Sequence, residues 1–244
     1  MAPPERTEDI DTTVGMARTH HYSVARGVPR ATLVLGHGAG AGVEAWELQL
    51  LARELPPIGI DVILVEQPWR VAGKKVAAAQ PQVDAAFREV VSDIKRSGDA
   101  LRRLVTGGRS TGARIACRTA ADVRADGVLC LAYPLHTPGR PITEVRVDEL
   151  VAATRQCPVT VLQGDRDTFG SPVEVAAALA ERNANGLVVS VPWADHSFRI
   201  PKKATVTMDE VGLIIVETTR RVLLNRAGGE GPLMSRAAGF GAPS

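Results

Sequence analysis

The chain has 244 residues, 45% of them hydrophobic and 23% charged, with 29 basic against 27 acidic side chains and a formal net charge of +2. That length suits one domain with a sizeable core, and the balanced charge leaves no electrostatic footprint for nucleic acid or an acidic membrane surface. Three widely spaced cysteines, Cys117, Cys130 and Cys157, argue against a disulfide framework or a thiolate metal site, no run of 18 apolar residues offers a membrane span, and the polar N-terminus has no apolar signal segment, so a cytoplasmic location is expected.

Residues 1–20 mix charge, Pro and Thr without periodicity and are expected to be a flexible segment ahead of a domain spanning 21–225. Short apolar runs then recur: Thr32 to Leu35, Val62 to Val65, Leu104 to Thr106, Val128 to Ala132, Val159 to Leu162 and Leu187 to Val191. Most are apolar on consecutive positions, the pattern of strands buried on both faces of a parallel sheet. Helical spacing fills the gaps. One helix runs from about Glu44 to Leu55, with Leu48, Leu51, Ala52 and Leu55 inward. A second follows Pro81, with Val83, Phe87, Val90, Val91 and Ile94 on one face. Another opens near Thr111, and a helix with Val147, Leu150 and Val151 inward lies between Ala132 and Val159. Ser171-Pro172-Val173-Glu174 and Thr207-Met208-Asp209-Glu210 read as capping boxes that start the last two helices. The tail over 226–244, rich in Gly, Ala, Pro and Ser, is expected to be disordered.

Strands alternating with helices predict βαβ units and a mostly parallel α/β sheet. Ligands in such sheets bind beyond the carboxyl ends of the strands. Four chemically coherent segments stand at such ends: Gly36-His37-Gly38-Ala39-Gly40, Gly108-Arg109-Ser110-Thr111-Gly112, Gln163-Gly164-Asp165-Arg166-Asp167 and Ala194-Asp195-His196-Ser197. The second matches G-x-S-x-G between a strand and a helix, the context in which a nucleophilic serine sits on a strained turn. The first lacks the spacing of a phosphate cradle and fits an oxyanion hole instead, with N–H groups of Ala39 or Gly40 joined by that of Thr111. His196 is the candidate base and His136 its competitor, while His20 and His21 read as surface residues. Asp167 is the candidate orienting acid, with Asp165 the alternative; Asp195, adjacent to His196, is poorly placed for that task.

These segments resemble the α/β-hydrolase superfamily over about residues 31–224. The build is similar to that of small dienelactone-hydrolase-like proteins, and to a related group that includes a testis-expressed animal protein and a subunit of the nonspecific-lethal chromatin complex. The resemblance implies an α/β-hydrolase fold with little or no cap, Ser110 as nucleophile, Asp167 as acid and His196 as base, with Ala39 and Thr111 in the oxyanion hole. Two departures stand out. Dienelactone hydrolases proper carry Cys where this chain has Ser110, and the elbow reads Ser-Thr-Gly-Ala where the group commonly has Ser-Met-Gly-Gly.

The expected activity is hydrolysis of a small ester, thioester or similar acyl compound, with no metal and no organic cofactor. The expected partner is a small acyl substrate, not nucleic acid and not a membrane. Trp69, Tyr133, Leu135 and Trp193 are candidate walls of an open site, and His136 a further pocket residue. Two alternatives remain: a non-catalytic hydrolase-fold binding or scaffold protein, and an acyltransferase or haloperoxidase-like activity on the same triad.

Overall fold

A computed structural model describes residues 3–97, 103–139 and 146–224. Eight strands run β1 (Arg6–Thr12), β2 (Gly15–Tyr22), β3 (Ala31–Gly36), β4 (Ile60–Glu66), β5 (Leu104–Arg109), β6 (Gly127–Leu131), β7 (Val159–Gly164) and β8 (Gly186–Val191). Seven helices join them: α1 (Trp46–Glu54), α2 (Pro68–Val71), α3 (Gln80–Arg96), α4 (Thr111–Thr119), α5 (Asp148–Thr154), α6 (Pro172–Glu181) and α7 (Met208–Leu224). The strands form one sheet in the order β1-β2-β4-β3-β5-β6-β7-β8. From β4 to β8 all pairings are parallel.

Period-two alternation within apolar runs divides the core into layers. Leu33, Leu35, Val62, Leu64, Leu129 and Leu131 pack on one face with the buried sides of α1 and α7. Their neighbours Val34, Ile63 and Val65 face the other side, beneath α3, while Val128 and Cys130 meet α4 and α5. Every residue of β3, β5, β6 and β7 is buried, which explains why these strands read as continuous hydrophobic runs. Both capping boxes form: the Ser171 hydroxyl accepts from the Glu174 N–H and Glu174 accepts from the Ser171 N–H, and Thr207 and Glu210 do the same ahead of α7.

The N-terminal expectation is corrected. From Arg6 onward the first residues are not a flexible segment but an antiparallel hairpin, with β2 also antiparallel to β4. Its buried positions include Ile10 and Ala17, paired across the hairpin, but also Thr19 and His21. Polar residues on the inward face hide the alternation that would otherwise announce a strand. His21 is accordingly a buried residue rather than a surface one, with Thr19 Oγ1 2.9 Å and Arg6 Nη2 3.2 Å from its ring nitrogens. The hairpin turn is tied to α3, where Glu89 accepts from the Thr13 N–H at 2.7 Å and the Thr13 hydroxyl at 2.5 Å. The expected disordered tail over 226–244 lies outside the described residues.

Candidate active site

Ser110 follows β5 directly and caps α4 with φ 53° and ψ −110°, a backbone conformation rare for a side-chain-bearing residue. The surroundings over-determine it. The Ser110 N–H donates to Leu131 O at 2.9 Å, and its carbonyl accepts from Arg114 N at 3.2 Å. Gly108 and Gly112 let β5 and α4 pass against β3: a Cβ on either would run into the Gly36 carbonyl oxygen. The elbow motif is therefore a packing requirement of three backbones.

His196, in the loop after β8, brings Nε2 to 3.0 Å from Ser110 Oγ. Its Nδ1 lies 2.8 Å from Asp167 Oδ2 and 3.0 Å from Oδ1. A carboxylate only accepts, so Nδ1 carries the proton and donates to Asp167, leaving Nε2 to accept from the serine hydroxyl. The Asp167 side chain is fully inaccessible to solvent. It also accepts from Gln163 Nε2 at 2.9 Å and from the Phe169 N–H at 2.8 Å. Gln163 is itself fixed by Gly170 O at 2.6 Å, Tyr133 O at 3.2 Å and the Tyr133 N–H at 2.8 Å. Asp165, two residues earlier, is exposed. Asp195 serves its own loop, accepting from the N–H groups of Ser197 at 2.8 Å and Arg199 at 2.9 Å.

The glycine loop after β3 is held at both ends. Buried His37 donates from Nδ1 to Gly38 O at 2.8 Å and accepts the Gln67 N–H on Nε2 at 3.1 Å. Burial holds its pKa below the ordinary histidine value, consistent with the neutral tautomer those two bonds require. At the far end Glu44 accepts from the Gly42 N–H at 2.9 Å and from Arg70 Nη2 at 3.1 Å. Ala39 and Gly40 are exposed between these anchors, and Thr111 opens α4, whose first N–H groups lack intrahelical acceptors.

The chain matches the family model described as an alpha/beta hydrolase domain over residues 29–222. It belongs to the alpha/beta hydrolase family. Solved structures agree on the fold. A serine hydrolase without a lid from Xanthomonas campestris is 20% identical, with 93% of this chain and 98% of that one covered and a TM-score of 0.68. A serine hydrolase homologue from Coxiella burnetii is 16% identical, covering 89% and 99%, with a TM-score of 0.70. A thermophilic esterase from Thermogutta terrifontis is 12% identical, covering 94% and 98%, with a TM-score of 0.65. No curated protein sequence matches the chain.

Within this hydrolase fold the expected wall residues separate. Tyr133 and Leu135 are fully buried core residues; the Tyr133 hydroxyl donates to Arg146 O at 2.6 Å and lies 3.0 Å from Glu149 Oε1. Trp69 is also buried, its ring centroid 5.1 Å from that of His37, so it backs the glycine loop. Trp193 is half-buried, donating to Thr205 Oγ1 at 3.1 Å with Arg166 over its ring. His136 is half-buried with Nε2 3.6 Å from Glu174 Oε1, and no described contact joins it to Ser110, which leaves His196 as the histidine beside the serine. His20 is likewise remote, 3.6 Å from Glu66. The cysteines are all buried thiols, Cys117 and Cys130 with sulfurs 3.5 Å apart. Among the described residues no cluster of three or more His, Cys, Asp or Glu could hold a metal, and no helix is long and apolar enough to cross a membrane.

Four neighbours of the site escape a motif search. Phe169 stacks on His196, Gln163 braces Asp167, Arg109 reaches the His196 loop and Glu47 stands behind Arg109. Arg109 and Gln163 lie inside the quoted motif segments as unassigned letters, and Phe169 stands two residues beyond one of them. Glu47 carries a subtler signal: it precedes Leu51 by four, which puts a carboxylate on the inward face of α1.

Proposed function

We propose that the protein is a serine hydrolase that cleaves a small ester, thioester or related acyl substrate through an acyl-enzyme. The observation that carries this reading is the continuous relay from Ser110 Oγ through His196 to buried Asp167. In the proposed reaction Ser110 Oγ bonds to the substrate carbonyl carbon while its proton passes to His196 Nε2. The carbonyl oxygen takes up the negative charge, met by the N–H of Thr111 and one from the Ala39–Gly40 loop. As the tetrahedral intermediate collapses, His196 returns the proton to the departing alcohol or thiol. Water then repeats the sequence on the acyl-enzyme and frees Ser110. Asp167 holds the imidazole in its working tautomer and stabilises the imidazolium throughout. Trp193 and His136, both half-buried, are the candidate substrate contacts among the five first considered.

A fluorophosphonate probe tests the proposal. Wild type should label and the Ser110→Ala variant should not; an unlabelled wild type, or equal labelling of both, would overturn it in favour of a non-catalytic binding role. Product analysis with water, alcohol and peroxide as competing acceptors then separates hydrolysis from acyl transfer and from perhydrolysis.

A further inference from the structure

Glu47 and Arg109 form a buried ion pair next to the site, with Arg109 Nε 3.4 Å from Glu47 Oε1 and side-chain exposures of 10% and 2%. Burial pushes the Glu47 carboxyl above the usual range, opposed by a backbone hydrogen bond and by the charges of Arg109 and Arg199. A buried pair of this kind is weak evidence for stability, because well-packed apolar residues often serve a core as well. Its contacts suggest another use.

Arg109 immediately precedes the nucleophile, and its guanidinium touches two other parts of the machinery. Nη2 donates to the carbonyl of His196 itself at 3.1 Å and to Ser197 Oγ at 2.9 Å. Nη1 and Cδ fill the space beneath Gly38, where an added Cβ would stand 2.7 Å and 3.1 Å from them. One planar fork thus spans the nucleophile strand, the base loop and the glycine loop, while Glu47 on α1 anchors it from behind. We propose that Arg109, held by Glu47, is a positioning residue that sets His196 and the glycine loop in register with Ser110. The assignment rests on the serine-hydrolase reading. It also explains why arginine suits the position: a lysine ammonium is a point donor and cannot bridge Glu47, the His196 carbonyl and Ser197 together.

The test uses the full chain with Arg109→Met, Arg109→Lys, Glu47→Gln and the double variant Glu47→Gln with Arg109→Met, against a Ser110→Ala blank. Three quantities are read: kcat and KM on an activated short-chain ester, the rate of fluorophosphonate labelling, and the melting midpoint. Arg109→Met and Glu47→Gln should each lower kcat and labelling on the order of 10–100-fold, the scale set by small misplacements of reacting groups, with KM essentially unchanged. Arg109→Lys should regain the wild-type melting midpoint without regaining the labelling rate. The double variant should lose no more than the worse single one, because the pair acts as a unit. Wild-type rates per folded molecule in the single variants would overturn the proposal, as would fully additive losses. If Arg109→Met fails to fold, Arg109→Lys and Glu47→Gln still decide. A wild type that neither labels nor hydrolyses is a different result, which removes the serine-hydrolase reading and this one with it.

Discussion

The ring of Phe169 lies over the imidazole of His196, centroids 4.1 Å apart and planes 26° from parallel. The same residue donates its N–H to Asp167 Oδ1 at 2.8 Å. Backbone and side chain of one residue therefore hold the acid and the base together. Removing the ring should leave the N–H bond and loosen the imidazole. A stacked pair contributes about 1 kcal/mol beyond area burial, so Phe169→Ala should lower kcat/KM by about fivefold or more on any ester that wild type cleaves. Steady-state kinetics on matched preparations checks this, and an unchanged kcat/KM would show that Asp167 alone orients the base.

The two aspartates after β7 should behave in opposite ways. Asp167→Asn presents an amide to Nδ1 and favours the wrong tautomer, with an expected loss in kcat of about 10⁴-fold. Asp165→Asn, at an exposed position, should keep wild-type kcat. Comparing the two in one assay decides which carboxylate completes the triad.

Glycines in the site should differ sharply in tolerance. A Cβ at Gly112 would overlap the carbonyl oxygen of Gly36, whereas one at Gly40 meets nothing within 4 Å. Gly112→Ala should cost about 3 kcal/mol or more, since overpacking is relieved only by moving backbone. Gly40→Ala should leave stability near wild type. Urea midpoints measure both, and a tolerated Gly112→Ala would mean that β3 and α4 can separate.

His37 should make stability depend on pH. Its folded pKa is lowered by burial from the ordinary value of 6.5. Above that value the imidazole is neutral folded or unfolded, and its contribution is fully present. As pH falls below it, the unfolded chain takes up a proton that the folded chain refuses, so stability declines until the lowered folded pKa is reached and then levels off. Urea midpoints between about pH 7.5 and about pH 5 should show this decline, and His37→Gln should flatten part of it. An identical slope in the variant would assign the decline to other groups.

Four of the six parallel strands, β3, β5, β6 and β7, are buried on both faces, which is why their apolar runs were legible in the sequence; β8, at the sheet edge with only Val191 buried, was legible from the run Leu187 to Val191 alone. The meeting of Ser110, His196 and Asp167 was legible because the three follow strand ends in hydrolase order, and Asp167 rather than Asp165 is the buried carboxylate beside His196. The hairpin was not, since Thr19 and His21 occupy inward positions and break the alternation. Nor was the burial of Tyr133: an aromatic after a strand reads the same whether it faces solvent or supports the core with its hydroxyl on Arg146. The pairing of Arg109 with Glu47 was not legible for a related reason, since the burial of each charge depends on a partner far away in the chain.

Ser110 and His196 are separated by 86 residues. Chain synthesis completes β5 and the elbow well before it reaches β8 and the loop that carries the histidine. A nascent chain thus carries its serine hydroxyl for much of translation without a base to take its proton. On the proposed serine-hydrolase reading, reactivity waits for the sheet to close from β7 to β8 and for α7 to dock against α1. On that reading, a chain that ends before β8 holds a serine that is chemically ordinary.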